Sequence, residues 1–196
     1  MAGGSYHHGD LYAACLRAAR ELLEKDGGAG LSLRAVARRA GVSPTAPYRH
    51  FANRSVLVSA IAAEGYRELA GCLAAAHPEP VTPDDLAAVA VAYVRFALEH
   101  PALFRVMFSE PCDPSDAKRV AATAAISAYV DGLVRRAFPG ADVGALATAV
   151  WALVHGLAFL YLDGKLDGST TEAVATQVRA AVHAISGAPA QLKAGN

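Results

Sequence analysis

Leu31–Ser55, LSLRAVARRAGVSPTAPYRHFANRS, carries five arginines and neither Asp nor Glu, in a chain of 196 residues whose formal net charge is zero. An acid-free basic segment is a local electrostatic footprint for a polyanion. Within it Ala37 is small enough to let two helices cross, Gly41-Val42 offers a backbone-permissive turn, and Tyr48-Arg49-His50-Phe51 closes the run with aromatic and basic side chains. This is the order of two short helices joined by a tight turn, the second free to enter a DNA groove.

Outward from this stretch the charge is polarised. Through residue 60 eight Lys and Arg face four acids, whereas beyond it ten face fourteen. A basic N-terminal part and an acidic C-terminal part point to nucleic acid at one end and a different task at the other. The 54% apolar content excludes disorder, and with 7% aromatic residues the core is expected to be built from Ala, Val and Leu. No apolar run is expected to be long enough to cross a bilayer, and Met1–Asp10 shows no basic-then-apolar leader. A cytoplasmic protein without a membrane partner is therefore expected. Cys15, Cys72 and Cys112 are odd in number and contain no C-x-x-C pair, which gives no disulfide framework and no zinc site. Cys15 and Cys72 fall in predicted helices as small buried hydrophobes, while Cys112, in a Pro-flanked loop, leaves a redox role open.

Apolar spacings of three and four predict helices throughout. Asp10 is expected to cap the first, which ends at Gly27-Gly28. Ser32 caps a second, Leu33 to Ala40, stopped by Gly41; Ser43 caps a third, Pro44 to His50; Asn53 caps a fourth running to about Ala76. Thr82-Pro83-Asp84-Asp85 is a strong start for a helix ending near His100-Pro101, followed by a short one from Ala102 to Phe108. Asp113-Pro114 starts another to about Phe138, Val143 to Leu162 forms a long apolar helix, and Ser169-x-x-Glu172 has the spacing of a capping box for the last, to Ile185. The expected class is all-α, about nine helices in two parts, with no repeat and no strand.

The first helix from Asp10, the run LSLRAVARRAGVS, the ending YRHF and Asn53-Arg54 together resemble the tetracycline-repressor (TetR) family of transcriptional regulators. The resemblance implies a helix-turn-helix DNA-binding domain over residues 8–56 and a ligand-binding and dimerisation domain over 57–196. By position, Ser32 and Arg34 correspond to phosphate and base contacts, and Thr45 and Ala46 to base readers. Tyr48 and His50 stand where the backbone is gripped, and Arg54 where a basic residue meets phosphate. Ser43 and Arg49 complete the candidate DNA-binding set, while Arg38 and Arg39 raise the local field. Pro47 departs from the family's usual aliphatic residue. As the fourth helical residue after a Ser43 cap it would forfeit only the first intrahelical bond. His7-His8 lies in SYHHGDL, a lead-in similar to that of many such chains.

In the second part Trp151 and His155-Gly156 resemble the W-x-x-x-H-G element of a TetR subgroup, and His155 is open to a core or a pocket role. The candidate pocket set is Tyr93, Phe96, Phe104, Met107, Phe108, Tyr129, Trp151, His155 and Phe159, suited to a small, largely apolar effector with one or two polar handles. Ala145, Ala149, Ala152 and Gly156 form a stripe of small residues, and Val174, Val178, Ala181 and Ile185 an apolar stripe. Both stripes are candidates for a homodimer interface or for burial within one subunit. The expected whole is a ligand-released repressor that binds a palindromic double-stranded operator as a homodimer, with no metal or cofactor. One rival is an enzyme using His155 or His100 as a base, for which no nucleophile-base-orienter set is seen. The other is a DNA-binding regulator governed by Cys112 oxidation or a protein partner.

Overall fold

A computed structural model of the chain describes residues 8–79, 81–109 and 115–192, with backbone only at 8–10, 109 and 187–192. Its elements are α1 (His8–Asp26), α2 (Leu33–Ala40), α3 (Arg54–Ala76), α4 (Pro83–Glu99), α5 (Pro101–Ser109), α6 (Ala117–Ala137), α7 (Val143–Leu162) and α8 (Thr171–Leu192). Two 3-10 turns, Gly28–Gly30 and Ala46–Arg49, interrupt the first part. The class is all-α, and eight helices with two 3-10 turns stand where about nine helices are expected. His7, Cys112 and the Asp113-Pro114 start signal lie outside the described residues.

Several ends follow the local chemistry foreseen. Ser32 Oγ accepts from the Ala35 amide at 3.1 Å, and Asn53 Oδ1 from Val56 at 3.0 Å. Thr82 and Asp85 form a reciprocal capping box with Pro83 at the first helical position. Gly41, with φ of 69°, ends α2 in a left-handed conformation. Its amide donates to Arg38 O and that of Val42 to Ala37 O, so two orphan carbonyls are satisfied where a Cβ would be strained.

Other ends differ. α1 already begins at His8, which puts Asp10 in its first turn rather than ahead of it. Asp116 Oδ1 accepts from the Arg119 amide and opens α6. Thr170, not Ser169, caps α8, its hydroxyl accepting from Ala173 at 3.1 Å. The Ser169 amide instead closes a tight turn on Asp167 Oδ1 at 2.9 Å. α8 also continues past Ile185 to Leu192.

The largest departure is the third helix, which is a 3-10 turn over Ala46–Arg49 and not an α-helix from Pro44 to His50. Neither Pro44 nor Pro47 has an N–H, and the Pro47 ring would press on the Ser43 carbonyl in an α-turn. The Ala46 amide takes that carbonyl at 3.0 Å instead, and Tyr48 and His50 continue the three-residue pattern to Thr45 and Pro47. Ser43 Oγ lies 3.4 Å from Thr45 Oγ1 rather than capping.

The chain divides into two compact units, up to Tyr66 with Ala102–Thr123, and Arg67–Pro101 with the residues from Ala124; the division falls inside α3 and α6. The first unit closes on Cys15, Leu16, Leu23, Val36, Ala37, Phe51, Leu57 and Ile61. In the second, α4 packs on α7 and α8. Its core holds Leu86, Val94, Phe96, Val150, Val154, Val174 and Val178, so aliphatic residues dominate as expected. Cys15 is buried, but Cys72 is exposed, contrary to expectation. Partial burial, with Glu99 and Glu68 nearby, raises its thiol pKa.

The expectation of no bilayer-length apolar run also fails. α7 has 20 residues, a mean hydropathy of 1.9 and the length to span a membrane, and 28% of the stretch is buried. Ala145, Ala149, Ala152 and Gly156 all lie on its exposed side. The corresponding stripe on α8 turns inward, with Val174 and Val178 buried and Ala181 and Ile185 half-buried.

Candidate nucleic-acid interface and ligand cavity

The first unit presents the acid-free segment on its surface. Ser32 and Arg34 are exposed at the start of α2, Ser43 and Thr45 at the turn, and Tyr48 and Arg49 on the 3-10 turn, with Tyr48 half uncovered at 50%. Ala46, His50 and Arg54 are half-buried. Pro47 is buried and fills the space expected of an aliphatic residue. The exposed side chains of the segment are therefore hydroxyls, guanidinium groups and a phenol with no carboxylate among them, the chemistry that contacts phosphate and base edges.

Several residues of the segment also have internal partners. Arg54 Nε donates to Leu31 O at 3.1 Å and its Nη2 to Gly28 O at 3.0 Å, which ties the α1–α2 connection to the start of α3. Arg39, one of the field-raising residues, pairs with Glu21 of α1 at 2.5 Å. The His50 ring meets Tyr12 edge-on at 5.7 Å between centroids, and Tyr12 stacks on Phe51 at 5.2 Å. His50 Nε2 is buried without a hydrogen-bond partner. Lys118 Nζ sits 5.0 Å above the Tyr12 ring. Tyr12 and Lys118 are absent from the candidate set because their proximity to His50 arises from α1 and α6, far away in sequence.

The second unit contains a cavity of about 40 Å³ lined by Leu73, Leu86, Val89, Ala90, Tyr93, Ile126, Val130, Leu133, Val150, Trp151 and Val154. Of the nine pocket candidates, Tyr93 and Trp151 line it. Tyr93 Oη lies 3.0 Å from His155 Nδ1, and the His155 ring is flanked by Trp151 and Phe159 at 5.7 and 4.9 Å between centroids. Burial lowers the His155 pKa, which favours the neutral imidazole.

The remaining candidates are placed elsewhere. Phe96 packs on the His100 ring at 4.9 Å. Tyr129 donates to the Leu73 and His77 carbonyls at 3.2 and 2.8 Å, binding α6 to the end of α3. Phe104, Met107 and Phe108 belong to the first unit, where Tyr66 donates to Met107 O at 2.8 Å and Phe108 meets the Tyr66 ring. The aliphatic lining missed in sequence carries the same spacing as any core helix, and aromatic content picks out two of the eleven lining residues, Tyr93 and Trp151. No group of three or more metal-ligating side chains occurs among the described residues.

Two family models match the chain: bacterial regulatory proteins of the tetR family over residues 16–61, and the tetracyclin repressor-like C-terminal domain over residues 86–185. An HTH-type transcriptional regulator of Mycobacterium bovis is 32% identical over 121 residues, which cover 58% of this chain and 51% of that protein. The chain thus spans about half the length of the curated relatives it matches. A protein of unknown function from Rhodococcus sp. RHA1 is 35% identical, with a TM-score of 0.77 over 92% of this chain and 97% of that one. The transcriptional regulator FadR from Bacillus subtilis, solved in complex with stearoyl-CoA, shares the fold at a TM-score of 0.69 and 15% identity over 87% and 97% of the two chains. With one model covering more than half of its residues, and the basic helix-turn-helix segment inside the other, the chain belongs to the TetR family of bacterial regulatory proteins.

Proposed function

We propose that the protein is a cytoplasmic, homodimeric DNA-binding transcriptional regulator, a repressor released from a palindromic operator by a small effector. Residues 8–56 act as the DNA-binding domain and 57–196 as the effector-binding and dimerisation domain. The observation that carries this reading is the exposed, acid-free array of Ser32, Arg34, Ser43, Thr45, Tyr48 and Arg49 on α2 and the following turn. Two such arrays related by a two-fold axis would enter successive major grooves roughly 34–36 Å apart, or a multiple of that. The small-residue face of α7, bare within the subunit, supports pairing through that helix. An effector that fits only the non-binding arrangement shifts the population away from DNA, and it does so by its differential affinity for the two states.

The test begins with an operator selected from random duplex DNA on the full-length protein. Arg34→Ala and Tyr48→Ala are expected to weaken binding by about tenfold each at fixed salt, the loss of a contact worth about 1–3 kcal/mol, while leaving the helical circular dichroism unchanged. Unchanged affinity in both variants would remove this face as the DNA contact.

A further inference from the structure

Resting on the reading of His50 as a contact to the DNA backbone, we propose that Tyr12 and Lys118 are its positioning residues. Lys118 of α6 holds the Tyr12 ring, and Tyr12 holds the His50 imidazole in the orientation that meets the backbone. Tyr12, His50, Phe51 and Lys118 all belong to the first unit.

The imidazole is fixed from its backbone outward. The amides of His50 and Phe51 both donate to the Pro47 carbonyl, at 3.0 and 2.9 Å, so the 3-10 turn ends with two rings on tied, consecutive residues. Phe51 is buried and serves as the anchor. His50 is half-buried, and its Nε2 is buried without a hydrogen-bond partner. No hydrogen bond restrains that side of the imidazole, so its orientation depends on ring contacts. Tyr12 supplies the nearer one, at 5.7 Å between centroids and 79° between planes, against 6.3 Å for Phe51. Tyr12 itself lies at 23° to the Phe51 ring, stacked on the anchor.

The other restraint on Tyr12 is a cation. Lys118 Nζ lies 5.0 Å from the ring centroid, within the range over which an ammonium is attracted to the face of an aromatic ring. Lys118 stands in the first turn of α6, where a positive charge opposes the helix dipole. The helix end does not account for a lysine there; the Tyr12 ring does. An imidazole oriented before DNA arrives loses less rotational freedom on binding, and affinity rises accordingly. Neither Tyr12 nor Lys118 has to touch DNA for this.

Binding of the full-length protein to the operator duplex selected on it is measured at fixed salt. Tyr12→Leu, which removes the ring, is expected to weaken binding about fivefold, and Tyr12→Phe, which keeps it, to stay within about twofold of the parent. Lys118→Met removes the cation from an exposed side chain and is expected to weaken binding about threefold. His50→Ala is expected to weaken binding about fivefold. In that background Tyr12→Leu and Lys118→Met each add less than about twofold, because the ring they hold is gone. Circular dichroism and the melting temperature identify a variant that fails to fold, and Lys118→Met, at the surface, carries the test if Tyr12→Leu does. If both losses persist at full size in His50→Ala, Tyr12 and Lys118 act on DNA binding by themselves, and positioning is overturned while the His50 contact stands. A Tyr12→Phe as weak as Tyr12→Leu overturns the ring contact in favour of the hydroxyl. If Tyr12→Leu and Lys118→Met bind as the parent does, His50 needs no support and the proposal falls. If His50→Ala itself binds as the parent does, the reading of His50 fails and the proposal with it.

Discussion

Arg54 spends two N–H groups on the Gly28 and Leu31 carbonyls, whereas Arg34 stands exposed at the start of α2. A part-buried carbonyl that loses its donor costs more than a surface charge, so the two arginines separate by what their removal does to the fold. Arg54→Ala is expected to lower unfolding stability by about 1–3 kcal/mol in urea titration, while Arg34→Ala changes it by less than about 0.5 kcal/mol. Equal stability in the two variants would mean the carbonyls find other donors. The contrast also marks what the chain discloses on reading. Ser32, Asn53 and Thr82 are recognisable as caps because their partners lie three residues on. The Arg54 partners are 23 and 26 residues back, and nothing local announces them.

At the level of elements, composition places the helices well and their exact geometry less well. α7 begins and ends where its apolar run does. The turn after Gly41 becomes 3-10 because two prolines withdraw amides from it, an effect of two residues that outweighs the capping signal of Ser43. The two stripes on α7 and α8 look alike in sequence, and only the packing of α4 against α8 decides that Val174 and Val178 face inward. α3 and α5 meet at Gly65, where a Cβ would lie 2.6 Å from Met107 Sδ and 3.0 Å from Leu103 Cδ1. Alanine gains up to about 1 kcal/mol in helix propensity. Crowding two buried side chains costs about 1–3 kcal/mol and prevails, even with some give in Met107. Gly65→Ala is expected to lower the melting temperature by about 2–4 °C, and a rise would mean that the thioether swings clear.

For the whole molecule the proposed dimer is the feature with the widest reach, because α7 is both the most apolar helix and largely uncovered within its own subunit. A carboxylate in the middle of its small-residue face has no room and no partner. Ala152→Glu is expected to convert the dimer to monomer in sedimentation experiments at micromolar concentration, with the helical content retained. A variant that stays dimeric would move the interface off this face. The polarised charge is legible from residue counts alone. The cavity is not, since Leu73, Val89 and Val150 are assembled from three helices whose spacing matches ordinary core positions.

The bare face of α7 has a consequence for supply. Anything that binds only the folded state protects it by mass action, and in the proposed dimer the protecting partner is another copy of the same chain. Persistence then depends on dose: sparse chains spend longer with apolar surface open to proteases, and abundant ones shelter each other. Steady-state abundance under that rule climbs more steeply than the rate of synthesis, so a modest change in expression becomes a larger change in working regulator.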